Sequence, residues 1–295
     1  MAVDQELQEL VDMVNKASDE VADNMSEMTF ATAVVLLLLY KRIQQILHKL
    51  SKDVAAWSDT YFADIAAQTA LSVGSQSEAE TIVADERAKF LTAMAVAVSS
   101  VLALAARLSR GQLPATRLGS QVRALRAQQV SADAASKIVQ ARLEIRNLLS
   151  SGLVQIVGRG QRTQTFAFDY YAALQAHQAR QTIISQATVR DVLANGGDLV
   201  QVSPQPSTIG DFCDQYKGKV FSISGAHPFF HPLALIPNGG CPMHPWCRHY
   251  LMPFDESERR TPQELKKLQE IPEAFLQLGR EGANANEFQK LWLGK

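Results

Sequence analysis

The sequence predicts an α+β protein: a predominantly helical N-terminal body, a small Cys/His-rich β module near the C-terminus, and a final helix. Three observations carry that expectation. Apolar residues recur at helical spacing through most of the first 197 positions, two short alternating segments follow, and all three cysteines with four of the six histidines fall within residues 213–249. At 295 residues, 46% of them hydrophobic and 20% charged, the chain can bury a sizeable core, and global disorder is excluded. The boundaries read from composition are 1–197 for the helical body, 198–255 for the β module and 256–295 for a helical tail.

The body begins with Val3, Leu7, Leu10 and Val14, which share one stripe of a helix. Two runs are then apolar on nearly every side: residues 30–40 (FATAVVLLLLY) and 91–106 (LTAMAVAVSSVLALAA). Both fall short of the roughly 20 apolar residues that cross a bilayer, so burial in a bundle or at an oligomer contact is the simpler reading. The sharper one inserts them in a membrane, with Lys41, Arg42, Arg107 and Arg110 as interfacial flanks. Residues 111–197 are rich in Ala, Gln and Arg and hold no proline after Pro114, which predicts long helices. The last of these should run from about Thr163 to Leu193 and close at Asn195-Gly196-Gly197, a trio suited to a left-handed helix stop. His177 on it reads as a packed structural histidine.

Leu199-Val200-Gln201-Val202-Ser203 and Lys219-Val220-Phe221-Ser222-Ile223 read as two short strands. Six of the eleven prolines then lie between 227 and 253, which excludes helix and interior sheet there. Thr261-Pro262-Gln263-Glu264 is a capping box with proline at the first helical position, and the helix it opens should break near Pro272. A loop over 279–286 precedes a last helical stretch from Phe288 to Trp292.

The net charge of −1 hides an asymmetry: residues 1–30 hold eight acids against Lys16, and residues 107–163 hold ten bases against Asp133 and Glu144. Such a basic stretch meets phosphates or an acidic protein surface. The start, MAVDQEL, lacks the basic and apolar pattern of a secretory signal, and three clustered cysteines do not make a secreted disulfide framework.

The densest cluster reads Cys241-Pro-Met-His244-Pro-Trp-Cys247-Arg-His249. Zn²⁺ takes four Cys or His ligands, and short spacings let one segment supply several. Cys247 and His249, two apart in extended chain, project to one side, and Cys213 would tie the strand pair to the proline-rich loop. The expected site is therefore one Zn²⁺ held by Cys213, His244, Cys247 and His249, with Cys241 in reserve; the plainer reading makes the cysteines buried core residues and the histidines turn caps. No H-E-x-x-H, G-x-S-x-G, Walker A or dinucleotide glycine pattern is present, so no catalytic or organic-cofactor residue is assigned. Glu256-Ser257-Glu258 reads as a solvated acidic turn before the last helices.

The run Val200-Gln-Val-Ser203, Asp211-Phe-Cys213, Gly218-Lys-Val-Phe-Ser-Ile-Ser-Gly225 and His244-Pro-Trp-Cys247-Arg-His249-Tyr-Leu-Met-Pro253-Phe254 resembles the C-terminal module of tailed-bacteriophage minor capsid proteins. That family, minor capsid protein 2, is similar to the Mu F-like head-morphogenesis proteins. The resemblance covers about fifty-five residues, and its most specific part is the H-P-x-C-R-H box. One departure is that the first member of the family's Cys pair would fall on Gly210, which leaves Cys241 or His249 to substitute as a ligand. The resemblance implies a structural virion component rather than an enzyme, made in the host cytoplasm and placed at the portal vertex or capsid interior. Portal or major capsid protein would be its partners, with packaged double-stranded DNA meeting the Arg-rich middle. The alternative is a protein ejected with the DNA that acts on the host membrane or as a toxin-like enzyme.

Overall fold

The fold is described from a computed structural model, which describes residues 2–28, 33–110, 142–143, 145–147, 149–150, 154–157, 163–204, 211–244, 246–256 and 261–294. It is α+β and predominantly helical, with a four-stranded mixed sheet near the C-terminus and helices at the end. The chain forms two compact units: residues 1–61 with 89–176, and residues 62–88 with 177–295.

Three long helices, α1 (Ala2–Met28), α2 (Ala33–Val73) and α3 (Gln76–Ser109), run through the first part of the chain. In the first unit each turns a narrow apolar seam inward. Leu10, Val14, Ala17 and Val21 are buried on α1, Ile43, Leu47, Leu50 and Val54 on α2, and Phe90, Met94, Ala97, Val101 and Leu104 on α3. These residues alternate three and four apart, the spacing that keeps one stripe of a helix against its neighbours. Trp57 joins all three helices. Its ring stacks on Tyr61 and tilts against Phe90, with centroids at 4.6 and 5.8 Å, and its Nε1 donates to the Glu6 carbonyl at 3.2 Å.

Of the run 30–40, residues 33–40 continue into α2 without a break, and residues 29–32 lie outside the described set. The run 91–106 lies within α3, where residues 76–107 are long and apolar enough to cross a membrane, with 33% of the most apolar window buried. Most of the basic stretch lies outside the described residues. The part that is described meets α1: Arg142 pairs with Asp23, and Arg146 pairs with Asp19 at 2.9 Å.

The expectation of long helices through residues 111–197 is corrected at two places. Val154–Val157 (β1) and Thr163–Phe166 (β2) form an antiparallel hairpin, with Val154 opposite Phe166 and Val157 opposite Thr163. The β-branched residues in VQIV and TQTF prefer extended backbone, and pairing the two segments overrides the helical bias of the surrounding Ala and Gln. Helix α4 therefore starts later than expected, spanning Phe168–Ala194, and it stops at the predicted place, where Gly196 adopts φ +74°.

In the second unit the sheet order is β5-β4-β3-β6, with β3 (Leu199–Val202) and β4 (Val220–Ser222) at the centre, antiparallel to each other. The outer strands are β5 (His231–Pro232), parallel to β4, and β6 (Leu251–Pro253), antiparallel to β3. The proline-rich stretch thus enters the sheet only at its two edges, where a missing N–H breaks no central ladder. Two short 3₁₀ turns, Leu233–Leu235 and Pro237–Gly239, fill the space between.

Residues 262–292 form three short helices: α5 (Pro262–Gln269), α6 (Glu273–Arg280) and α7 (Ala285–Trp292). The capping box opens α5 as expected, with the Glu264 N–H donating to Thr261 Oγ1 and the Thr261 N–H donating to Glu264 Oε2 at 2.7 Å. The loop expected over 279–286 is shorter, because Gly279 and Arg280 finish α6 and Ala285 already starts α7.

One core cluster ties together segments that composition had separated. Val192 of α4, Val200 and Val202 of β3, Phe221 of β4, Leu251 of β6, Phe275 and Leu276 of α6 and Phe288 of α7 are all buried in it, with Cys213, Cys241 and Cys247. The compact unit therefore extends beyond 198–255 on both sides: the end of α4 and the C-terminal helices supply apolar surface that so short a β segment lacks.

Candidate metal centre

Cys213 sits on a 3₁₀ turn, Phe212–Gln215, capped by Asp211, whose Oδ1 accepts from the Phe212 N–H at 2.7 Å. The turn packs into the core through Phe212, which carries Cys213 inward. His244 and Cys247 come from a second turn, closed by the Cys247 N–H donating to the His244 carbonyl at 3.1 Å. Its third residue, Trp246, has φ +62°, a left-handed conformation that normally falls to glycine. Holding a tryptophan there costs on the order of 1–2 kcal/mol, which the surrounding contacts must offset.

The two turns bring three donor atoms to one place. The sulfurs of Cys213 and Cys247 and a ring nitrogen of His244 all lie within 4.8 Å of one another, and His244 Nε2 is 3.1 Å from Cys213 Sγ. Both sulfurs belong to buried residues. Asp211 Oδ2 lies 3.4 Å from the same His244 nitrogen, and the His244 ring meets the edge of Phe212 at 5.2 Å. In a nucleophilic Cys–His–Asp relay the acid binds the opposite ring nitrogen from the sulfur. Here sulfur and carboxylate meet the same nitrogen, so donors converge on a point instead of forming a relay.

The electrostatics of the pair follow from that convergence. The hydrogen bond from Cys213 to Cys247, then burial, push the Cys213 thiol well up, and the same bond pulls Cys247 down against its burial, helped by His244 and the Met243 backbone. Cys247 is thus the thiolate side of the pair, and a thiolate is the form that ligates metal. Cys241 is buried without joining the set, and burial pushes its thiol up.

Of the four expected ligands, the structure brings Cys213, His244 and Cys247 together. His249 is fully buried and stands apart from the trio, its Nδ1 held by the Ser203 carbonyl at 3.2 Å. In that bond Nδ1 is the donor, and Nε2 has no hydrogen-bond partner among the described residues. Buried polar atoms are rarely left so, and an imidazole held by a carbonyl through one nitrogen with the other free is the usual arrangement of a metal-ligating histidine.

Two contributors lie outside the expected site residues, His177 having been read as a packed structural histidine. His177 Nε2 lies 3.1 Å from the Cys247 carbonyl and its ring 5.2 Å from that of Trp246, so α4 braces the strained turn; burial lowers its proton affinity. Asp211 was passed over beside Cys213. No local signal marks His177, which reaches the turn across 70 residues of chain, whereas Asp before an aromatic-Cys turn is a recognisable cap.

The donor set fits a metal. Two thiols and imidazole form a soft N/S environment of the kind Zn²⁺ prefers, and bonds of about 2.0–2.3 Å are compatible with donors this close. Fold and site together define a helical protein with a C-terminal module built around a buried Cys₂His group able to hold a metal ion. No protein-family model, curated protein or solved structure matches the chain.

Proposed function

We propose that this chain is a structural component of a tailed-bacteriophage head, a minor capsid or head-morphogenesis protein whose C-terminal module is stapled by one Zn²⁺. The observation that carries the reading is that the most specific part of the sequence resemblance, the box from His244 to His249, coincides with the buried Cys213–His244–Cys247 group. Cys213, His244 and Cys247 supply three ligands; His249, expected as the fourth, stands apart from them with its Nε2 unpartnered among the described residues, so the fourth position falls to another donor. The ion adds its binding energy to a unit whose sheet is made of strands of two to four residues.

In this reading the protein sits at the portal vertex or capsid interior and contacts portal or major capsid protein. The pairing of Arg142 and Arg146 with α1 supports protein contact for that part of the basic stretch, and packaged DNA is the proposed partner of the rest. The test is mass spectrometry of purified particles together with elemental analysis of the isolated protein. The expected result is low copy number in filled and empty heads alike, with one zinc per chain. Absence from the particles removes the virion reading, and metal-free protein that is indifferent to chelation removes the zinc.

A second reading, a protein ejected with the DNA that enters the host membrane, is favoured by the apolar stretch of α3. It predicts loss of the protein from particles after ejection and leakage of liposomes on its addition.

A further inference from the structure

The second unit holds a cavity of about 160 Å³ between α2 and α4, away from the cysteines. Ile65, Gln68 and Thr69 line it from α2, and Arg180, Ile184, Ala187 and Thr188 from α4. Spacings of three and four residues put each set on one helix face, so the two faces look at each other across the gap.

Its polar groups are unusual for this chain. Thr182 and Thr188 on α4, like Thr81, Ser99 and Ser100 on α3, turn their hydroxyls back to the carbonyl four residues earlier. Thr69 is 4% exposed and makes no such bond, and among the described residues its hydroxyl has no partner. Arg180 likewise has no acidic partner among them. A partly buried guanidinium with no counter-charge gains from a ligand that accepts, and the Thr69 hydroxyl can add a second donor to the same ligand.

We infer that this cavity binds a phosphate group, gripped by the guanidinium of Arg180 and by the side chains of Thr69 and Gln68. A guanidinium fork with a hydroxyl and an amide offers more donors than a carboxylate has oxygens, and matches the several acceptors of a phosphate. The volume equals about five waters at roughly 30 Å³ each, which admits one phosphate group and little more. Ile65, Ile184 and Ala187 form the apolar part of the lining beside these polar groups.

The phosphate group comes either from the free anion or from a nucleic-acid backbone, and one set of proteins separates the two. Thermal unfolding of the full-length chain is followed in sodium phosphate against sodium chloride at equal ionic strength. The melting temperature should rise with phosphate in the wild type and not in Arg180→Gln, with Thr69→Val giving a reduced rise. Both variants should melt near the wild type in chloride; if Arg180→Gln does not fold, Thr69→Val and Gln68→Ala carry the test. Binding of a labelled 20-base-pair duplex is measured in parallel as a function of salt. A log–log salt slope smaller by about one in Arg180→Gln assigns the phosphate to a nucleic-acid backbone, and a phosphate-dependent shift without duplex binding assigns it to the free anion. No shift and no Arg180-dependent duplex binding, or a phosphate shift that survives Arg180→Gln, overturns the inference.

Discussion

Single residues decide two close approaches in the second unit, and they differ in how legible they are. The cysteines and histidines stand out because their donors crowd one short stretch, and that density pointed to the right place. What the sequence could not supply was the choice among them: His249 is nearer to Cys247 in the chain than His244 is, and Cys241 lies six residues away, but the left-handed turn at Trp246 selects His244. Gly279 was read only as the start of a loop, yet it lies inside α6, and a Cβ there would run into the Leu235 carbonyl. The helix thus packs backbone to backbone on a 3₁₀ turn, a contact between segments more than forty residues apart that no local pattern announces. Gly279→Ala should lower stability by about 3 kcal/mol, the upper range for forced overpacking, read as a lower urea midpoint. An unchanged midpoint would mean that α6 does not seat as described.

At the scale of elements, what was legible depended on length and on local chemistry. The capping box before α5 and the glycine stop of α4 are short-range signals, and both hold. The hairpin of β1 and β2 was missed because four-residue strands give too little alternation to outweigh Ala- and Gln-rich surroundings; only their pairing makes them strands. The β3–β4 pair was legible as strands, but what locks it was not. Asp198, just before β3, accepts from the Ser222 hydroxyl at 2.5 Å and from the Ser224 N–H at 2.7 Å. Burial alone would raise its carboxyl, and the bonds from Ser222 and Ser224 overcome this and hold it below its ordinary value. A depressed acid stabilises the fold above its unfolded pKa, about 3.9, and that contribution is lost as pH falls through the folded value. Asp198→Asn should therefore melt below the wild type at pH 6, and the gap should close as the buffer is taken below about pH 4. A gap that stays constant with pH would show that the carboxylate charge contributes nothing.

The whole molecule was divided by composition at residues 197 and 255, whereas its compact units cut through α2, α3 and α4. A continuous helix is invisible as a boundary in sequence, since its periodicity does not change when its neighbours do. The first unit draws its stability from seams of buried Leu, Ile, Val and Phe on long helices, and such a core needs no ligand. The second relies on short strands and turns around three buried cysteines. Metal removal should consequently act on one unit and spare the other. In hydrogen exchange of the full-length chain, a zinc chelator should reduce protection at least about tenfold, roughly 1.4 kcal/mol, in peptides covering residues 211–216 and 241–253. Peptides from α1 and from residues 43–54 of α2 should exchange at unchanged rates. Equal loss in both units would mean that the first unit depends on the metal-bound fold of the second. No loss anywhere would mean that the buried thiols and imidazole are held by packing and the Cys213–Cys247 hydrogen bond alone, and the staple would have to be abandoned.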